Sequence, residues 1–549
     1  MDLLFIPDLK AAIDFVLQPI LIVMLLGTGI FLTIRLGFIQ FKGFAHGVAV
    51  TMGKYDDVND PGDVSHFQAL TTALSATVGI GNIAGVATAI HFGGPGAVFW
   101  MWIIAFLGMA TKYTEVILAQ RFRKVETGGK GGSVSGGPMY YIEYGLGKKW
   151  KPLAIFVAFS LMLTAFLNGN AIQANTMADL MQSEFGIAPW ITGIISALLV
   201  GAVIMGGINR IGKVTGILAP FMAGLYVLGG LAVLAINYNA ILPAFQLILT
   251  EAFTPTAGIA GTGAGIFLQT LLWGVRRGMF SNEAGQGSAP IAHSAAKTNE
   301  PVSEGVVALL EPFIDTIVIC SITALVIVVT GVWNDKTATP IQLNGGDLSF
   351  VKRAEKGFEP TQDISNQDII IQNGSIQEGG ATTLHLAWHE VPVEILYLDP
   401  THQTPFSGTI DMAKRLAIGA DGQQFTTLYG MAVENGAPLT TLGFNQALGK
   451  IGNWIVVLCV LLFGISTAIS WSYYGDRCAN YLFGSKGVLP YKMVYLGMHF
   501  IGAVTALNTV WSWGDTALSF VTIPNVTALL LLSGVAKKMT DAYFEKLKG

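Results

Sequence analysis

The stretch Thr71 to Phe92, TTALSATVGIGNIAGVATAIHF, is apolar and long enough to cross a bilayer, which takes roughly 20 residues. Its middle is nevertheless a poor helix. Two glycines and an asparagine within Val78-Gly79-Ile80-Gly81-Asn82 invite unwinding, because a glycine costs about 1 kcal/mol against alanine in a helix interior. Inside a membrane, unwound backbone survives only where protein buries it or where it lines a polar cavity. A spanning helix broken at mid-depth is therefore a candidate binding site, with half-helix ends and free carbonyls turned to a ligand. The plainer alternative is a glycine-rich helix packed closely on a neighbour.

Composition says what surrounds this stretch. The chain has 549 residues, 52% of them hydrophobic and 12% charged, about half the ~25% charged content of soluble domains. Its mean hydropathy is +0.56. These values predict an all-α polytopic membrane protein. The net charge of −4 predicts no nucleic-acid partner. Cys320, Cys459 and Cys478 have no metal-type spacing and read as buried thiols. The opening MDLLFIPDLK has acids where a signal peptide has its basic region.

Eleven segments of spanning length are expected, at about 15–34, 71–92, 97–122, 152–180, 191–208, 214–236, 264–296, 306–332, 454–473, 491–507 and 517–535. Gly93-Gly94-Pro95-Gly96 reads as a tight turn between the second and third. GGKGGS, in the basic loop after the third, lacks the spacing of a phosphate-binding loop. Residues 334–449 are polar, and HLAWHEVPVEILYLD within them alternates with period two, as a half-buried strand does. His385 and His389 there have no third ligand of obvious type, so a structural role is favoured over a metal. The expected organisation is an N-terminal extra span and surface segment (1–65), a first five-helix repeat (66–240), a connector and the start of a second repeat (241–333), an insert of β content (334–449), and the last three spans with a charged tail (450–549). Lys and Arg cluster at 35–42, 121–151, 210–213, 297, 477–492 and 537–548, all on one side if eleven spans alternate. Basic loops stay cytoplasmic, so the N-terminus and insert are expected outside and the C-terminus inside.

Without the first span, ten remain, five and five, starting on opposite sides of the membrane. Each half opens with a glycine-interrupted segment; the second, 264–296, carries Gly274, Gly278, Gly285 and Gly287. Paired broken helices in inverted halves point to a secondary transporter. Half-helix N-termini suit a carboxylate, and half-helix C-termini suit a cation, so such a site fits a zwitterion with a hard cation such as Na⁺. Ser466 and Thr467 are oxygen-bearing candidates unless they bond back to their own helix. Asn168, Asn170 and Gln173 either line the cavity or fasten helices together. Glu115, Glu283, Glu311 and Asp315 are intramembrane carboxylates, functional by default. For Glu283, near Arg276 and Arg277, an ion pair is the safer role.

TALSATVGIGNIAGVATAI, GGPGAVFWMWIIAFLGMATKYTEVILAQRFR, GGPMYYIE and RRGMFSNEAGQGSAPIAHSAA together resemble the alanine or glycine:cation symporter family. The resemblance is close over about 67–310 and looser after the insert. It implies the leucine-transporter-like fold of ten core helices in two inverted repeats, and import of small neutral amino acids with Na⁺, H⁺ serving in some members. By the same likeness, backbone amides around Thr77, Gly79, Ile80, Gly81 and Asn82 would hold the substrate carboxylate. Carbonyls of Ser75 and Val78, with Ser466 and Thr467, would hold Na⁺. Gln269, Thr270, Trp273 and Gly274 would form the ammonium and side-chain pocket, with Trp273 keeping it small.

The leading expectation is thus a multi-pass inner-membrane importer of alanine and glycine, driven by Na⁺ and working by alternating access. Its partners are the amino acid, Na⁺ and the bilayer, with the insert as a surface for any extracytoplasmic partner. The alternatives left open are a proton-coupled carrier for a larger neutral amino acid, and a transporter-derived sensor acting through the insert. A channel would repeat a filter or a charge ring, and an enzyme would carry a motif such as HExxH or GxSxG; the chain has neither.

Overall fold

The computed structural model describes residues 7–57, 59–125, 134–254, 266–343, 348–354, 357–360, 368–376, 384–388, 391–393, 395–411, 414–505 and 507–548. GGKGGS and His389 lie outside them. The helical body begins with α1 (Pro7–Arg35) and α2 (Ile39–Thr51), bent by 79° against each other. The N-terminus of α3 (His66–Thr77) is a capping box: Ser65 Oγ accepts from Gln68 N, and Gln68 Oε1 accepts from Ser65 N. After the break come α4 (Val86–Gly93) and α5 (Ala97–Arg121). The turn between them follows the expectation: Gly94 has φ +70°, and a Cβ on Gly96 would lie 2.2 Å from the Glu251 carbonyl oxygen. Only glycine allows that approach.

The next helices are α6 (Lys151–Phe166), α7 (Ile172–Phe185), α8 (Pro189–Ile204), α9 (Gly207–Ile236), α10 (Tyr238–Glu251), α11 (Ile266–Asn282), α12 (Ala289–His293), α13 (Pro301–Ala308) and α14 (Ser321–Thr330). After the insert come α15 (Gly436–Leu448), α16 (Lys450–Phe483), α17 (Val488–Val504) and α18 (Leu507–Lys546). Among the described residues, six helical stretches are long and apolar enough to cross a membrane, or eight if each of two bent pairs is one span. The chain is a multi-pass membrane protein. The two largest buried apolar clusters of this body hold Ile80, Ile83, Tyr226 and Phe463 in one, and Tyr141, Ala295, Tyr474 and Tyr495 in the other.

Apart from a two-stranded pairing of Lys124–Val125 with Val134–Ser135, the β structure of the described residues lies between α14 and α15, with its own core of Ile341, Ile371, Leu386, Phe406, Ile410 and Leu428. Its first strand, Thr337–Gln342, pairs antiparallel with its last, Thr427–Ala432, from Thr337 opposite Ala432 to Gln342 opposite Thr427. Entry and exit therefore sit side by side, and the unit interrupts the helical body without separating α14 from α15. The period-two segment is three short strands, Leu384–Trp388, Val391–Pro392 and Leu396–Tyr397, rather than one. The β region is also narrower than 334–449. It ends at Ala432, and α15 places Leu439 and Phe444 in the helical core, with Thr440 Oγ1 donating to the Ile83 carbonyl.

Candidate functional site

The first break falls at the glycine–asparagine stretch. Helix α3 stops at Thr77, Val78 leaves helical geometry at ψ 86°, and a π-helical turn, Gly81–Gly85, restarts the chain. The two halves are bent by 53°. Gly79 N, left without an intrahelical acceptor, donates to Asn82 Oδ1 at 2.8 Å. Asn82 Nδ2 in turn reaches Ser281 Oγ at 3.2 Å and Asp315 Oδ1 at 2.6 Å. Asn82 thus splints the break and ties it to the rest of the body.

A second break lies in the expected segment but nine residues past Gly274. Helix α11 is continuous through Gly274 and Gly278 and ends at Asn282; Glu283, Gly285 and Gly287 then take φ of +55°, +89° and +77° before α12 starts. The freed amides of Gly285 and Gly287 donate to Glu115 at 3.2 and 3.0 Å, and Asn525 Nδ2 donates to the same carboxylate at 2.6 Å. Glu283 accepts from Ser288 Oγ at 2.5 Å and from Trp471 Nε1 at 3.1 Å, while the Arg276 and Arg277 guanidinium groups lie over the Trp273 ring.

Two connections bring the breaks together. Asp315 accepts from Asn82 at the first and from Ser281 Oγ, at 2.6 Å, beside the second. Helix α16 touches both. A Cβ on Gly79 would lie 2.7 Å from Thr467 Oγ1, and one turn along, Trp471 meets Glu283.

Around the first break, Thr467 Oγ1 donates to the Ser75 carbonyl at 3.1 Å and Ser466 Oγ approaches it at 3.4 Å, while Ser75 Oγ donates to the Ser466 carbonyl at 3.1 Å. Ser466 Oγ also bonds back to Phe463 O at 3.0 Å. Three of the four expected cation ligands therefore meet, and Val78 begins the bend beside them. Their oxygens are neutral and hard, the donor type that suits Na⁺ rather than a soft metal.

The three amides of the fourth span separate. A π-helical turn, Leu167–Ala171, precedes α7, and Trp471 packs on its Gly169, where a Cβ would lie 2.1 Å from Trp471 Cγ. Asn170 fastens helices: Nδ2 donates to Tyr495 O at 2.7 Å, and Oδ1 meets His499 Nδ1 at 2.6 Å. Gln173 turns to the break, its Oε1 3.6 Å from a Cβ on Gly79, and its Nε2 donates to Asn168 O at 3.3 Å. Gln173 Oε1, Asn168 Nδ2 and Ser470 Oγ are buried and make no hydrogen bond. A buried polar atom left open costs about 1–3 kcal/mol, so each of the three would be stabilised by meeting a polar ligand.

Other expected residues sit differently. Ile80 is fully buried, Thr77 bonds back to Ala73 O at 3.2 Å, and a Cβ on Gly81 would lie 3.2 Å from the Phe280 ring. Thr270 Oγ1 donates to Gly93 O at 2.7 Å, Gly274 lies against the Ala97 carbonyl, and Gln269 is exposed. Trp273 stacks on Phe92 at 4.6 Å. Ser281, Ser470 and Trp471 escaped the sequence reading, because a serine or tryptophan in an apolar span carries no signal until its neighbour is known. A mostly apolar cavity of about 420 Å³, lined by Val48, Leu74, Met222 and Leu310 among others, reaches Val78 from the α2 side.

Comparison with known proteins bears on this geometry. The model of the sodium:alanine symporter family matches residues 6–350 and 421–549, which leaves out most of the β region. The sodium/alanine symporter AgcS of Methanococcus maripaludis is 39% identical over 543 residues, 98% of each chain. An uncharacterized transporter of Haemophilus influenzae is 36% identical, over 99% of this chain and 97% of its own. The putative sodium/proton-dependent alanine carrier protein YrbD of Bacillus subtilis is 32% identical, over 96% and 90%. A chain matched along nearly its whole length, with its glycines at a helix break, belongs to the sodium:alanine symporter family.

Proposed function

We propose that this protein imports small neutral amino acids, alanine and glycine, by symport with Na⁺ and alternating access. The observation that carries the reading is the first break. There the Ser75 carbonyl, the Thr467 hydroxyl and the open Gln173 oxygen converge on the Gly79 backbone. Cation and zwitterion would bind as neighbours. Ser75, Val78, Ser466 and Thr467 supply oxygens to Na⁺. The backbone from Thr77 to Asn82 faces the carboxylate, and Gln173 with Asn168 offers an acceptor and a donor to the amino acid. Asn170 supports this wall by holding α17, and Thr270, Trp273 and Gly274 shape the far side through α11. The absence of a titratable group among the cation ligands favours Na⁺ over H⁺ at this position. The membrane arrangement proposed with it is eleven spans in an inner membrane, ten of them an inverted five-plus-five repeat, with the N-terminus and insert outside and the C-terminus in the cytoplasm.

The test is uptake of radiolabelled L-alanine into proteoliposomes under an inward Na⁺ gradient, an equal K⁺ gradient, or a pH gradient. Uptake with Na⁺ alone, lost in Thr467→Ala, is the expected result. Uptake driven by the pH gradient alone removes the Na⁺ site, and no uptake of alanine or glycine under any gradient removes the substrate.

A further inference from the structure

The proposed transport site uses hydroxyls, amides and carbonyls. It leaves without a task a group of buried ionisable side chains elsewhere in the body. Lys112, His293, Glu304 and Glu311 are 0% exposed and His66 is 2% exposed. They come from α3, α5, α12, α13 and the helical turn Leu310–Pro312, so tertiary structure alone assembles them. The arrangement is a line. His66 Nε2 faces Asp56 Oδ1 at 3.9 Å, and Asp56 is 42% exposed. His66 Nδ1 pairs with Glu304 Oε2, and Glu304 Oε1 meets His293 Nδ1 at 2.5 Å. His293 Nε2 faces Glu311 Oε2 at 3.5 Å, and Lys112 Nζ donates to Glu311 Oε1 at 2.8 Å.

Two features distinguish this line from a cluster that merely fastens helices. Each imidazole lies between two carboxylates, one facing each ring nitrogen. A neutral imidazole has one N–H and serves one of them; the protonated ring serves both. The second feature is an open link. His293 Nε2 and Glu311 Oε2 are buried and opposed, yet neither makes a hydrogen bond, whereas buried polar atoms in a static network are satisfied. The surrounding charged and titratable groups are Arg123, Asp60 and Asp63 at the Asp56 end, and Glu115, Glu283, Asp315 and Tyr474 at the Glu311–Lys112 end. The Arg123 guanidinium is already taken by the carbonyls of Pro61, Ser294, Ala296 and Thr298, so it sets the field without joining the line.

We propose that Asp56, His66, Glu304, His293 and Glu311 form a proton relay that loads a proton from the aqueous phase onto the His293–Glu311 pair, giving the protein a proton-binding function besides its cation and substrate site. The steps are proton transfers only. His66 Nε2 receives a proton from the Asp56 carboxyl as its Nδ1 proton passes to Glu304 Oε2. Glu304 starts as the neutral acid with its proton on Oε1; as it accepts on Oε2 it releases the Oε1 proton to His293 Nδ1, and the proton on His293 Nε2 moves to Glu311 Oε2. Each intermediate group gains one proton and loses one, Glu311 ends neutral, Asp56 is reprotonated from water, and Lys112 keeps its charge throughout.

Two measurements on the purified full chain in detergent test this, and neither depends on which amino acid is carried. The first is a difference titration of the wild type against His293→Gln, and against His66→Gln in case the first variant does not fold, across the pH 5–8 window where histidines exchange protons. The wild type is expected to take up one more proton than a folded variant; superimposable curves overturn the proposal. The second follows proton uptake after a rapid pH jump with an indicator dye. Asp56→Asn alters an exposed residue and keeps the fold, and is expected to slow the slow uptake phase at least tenfold; an unchanged rate, or no such phase in the wild type, overturns the relay. A fastening role alone changes the melting temperature of the histidine variants and leaves the uptake rate of Asp56→Asn where it was.

Discussion

Gly79→Ala isolates the contact between the break and α16. Gly79 has no left-handed φ, so the substitution adds no backbone strain; the effect comes from one carbon. That Cβ would lie 2.7 Å from Thr467 Oγ1, 3.7 Å from Thr467 Cβ and 3.6 Å from Gln173 Oε1. The hydroxyl must retreat by more than half an ångström to reach ordinary contact, which breaks its 3.1 Å bond to the Ser75 carbonyl. A lost hydrogen bond costs about 1 kcal/mol, and an added methyl in a packed site costs about 1–3 kcal/mol. Carried by the cation-loaded state, 1–3 kcal/mol raises the Na⁺ concentration for half-maximal uptake about 5- to 150-fold. The assay is Na⁺-dependent alanine uptake into proteoliposomes holding equal amounts of each protein, with melting temperatures alongside. A double-mutant cycle with Thr467→Ala sharpens it. Once the hydroxyl is gone the clash is gone, so the double variant is expected to lose less than the two single losses combined. An unchanged Na⁺ dependence in Gly79→Ala, or plain additivity in the cycle, refutes the placement of Thr467 beside the break.

Asn170→Ala removes the bonds to Tyr495 and His499 and is expected to lower stability by about 1–3 kcal/mol, seen as a drop in melting temperature, while half-saturation for Na⁺ and alanine stays put. Gly274→Ala drives a Cβ to 2.3 Å from the Ala97 carbonyl oxygen and is expected to cut the yield of folded protein in membranes, whereas Gln269→Ala, on an exposed position, leaves yield and uptake unchanged; quantified membrane expression separates them. In the β region, the Thr401 hydroxyl and the amides of Thr404 and Gln403 hold the Asp399 carboxyl below the usual carboxylate range. A depressed value stabilises the folded turn above the ordinary carboxylate pKa and loses that contribution as pH falls through the folded value. Hydrogen exchange in residues 396–406, corrected for intrinsic rates, is therefore expected to be flat above about pH 5 and to rise below about pH 4, and Asp399→Asn is expected to remove the dependence.

The first break was legible because its cause is local. Gly79, Gly81 and Asn82 weaken a helix wherever they occur, and the Gly94–Gly96 turn was legible for the same reason. The second break shows the limit of that logic. Gly274, Gly278, Gly285 and Gly287 look alike in sequence. Two are pressed against the Ala97–Ile104 face of a continuous helix, and two are unwound with their amides on Glu115. Residue type signals that backbone comes close to something, and the partner, from a distant segment, decides whether that something is a helix or a carboxylate. Asn170 and Gln173 divide for the same reason, one facing α17 and the other Gly79.

The amino-acid sequence by itself determined that the chain lives in a membrane, that its second spanning segment breaks where it does, and that a β-rich unit interrupts its helices, since these follow from apolar length, glycine placement and side-chain periodicity. Tertiary structure decided which polar groups meet. Serines 75 and 466 lie almost four hundred residues apart, and the line from Asp56 to Lys112 draws on five separate helical segments. A buried polar side chain is stable only with a partner, and that partner is chosen by how helices pack rather than by anything near it in the chain.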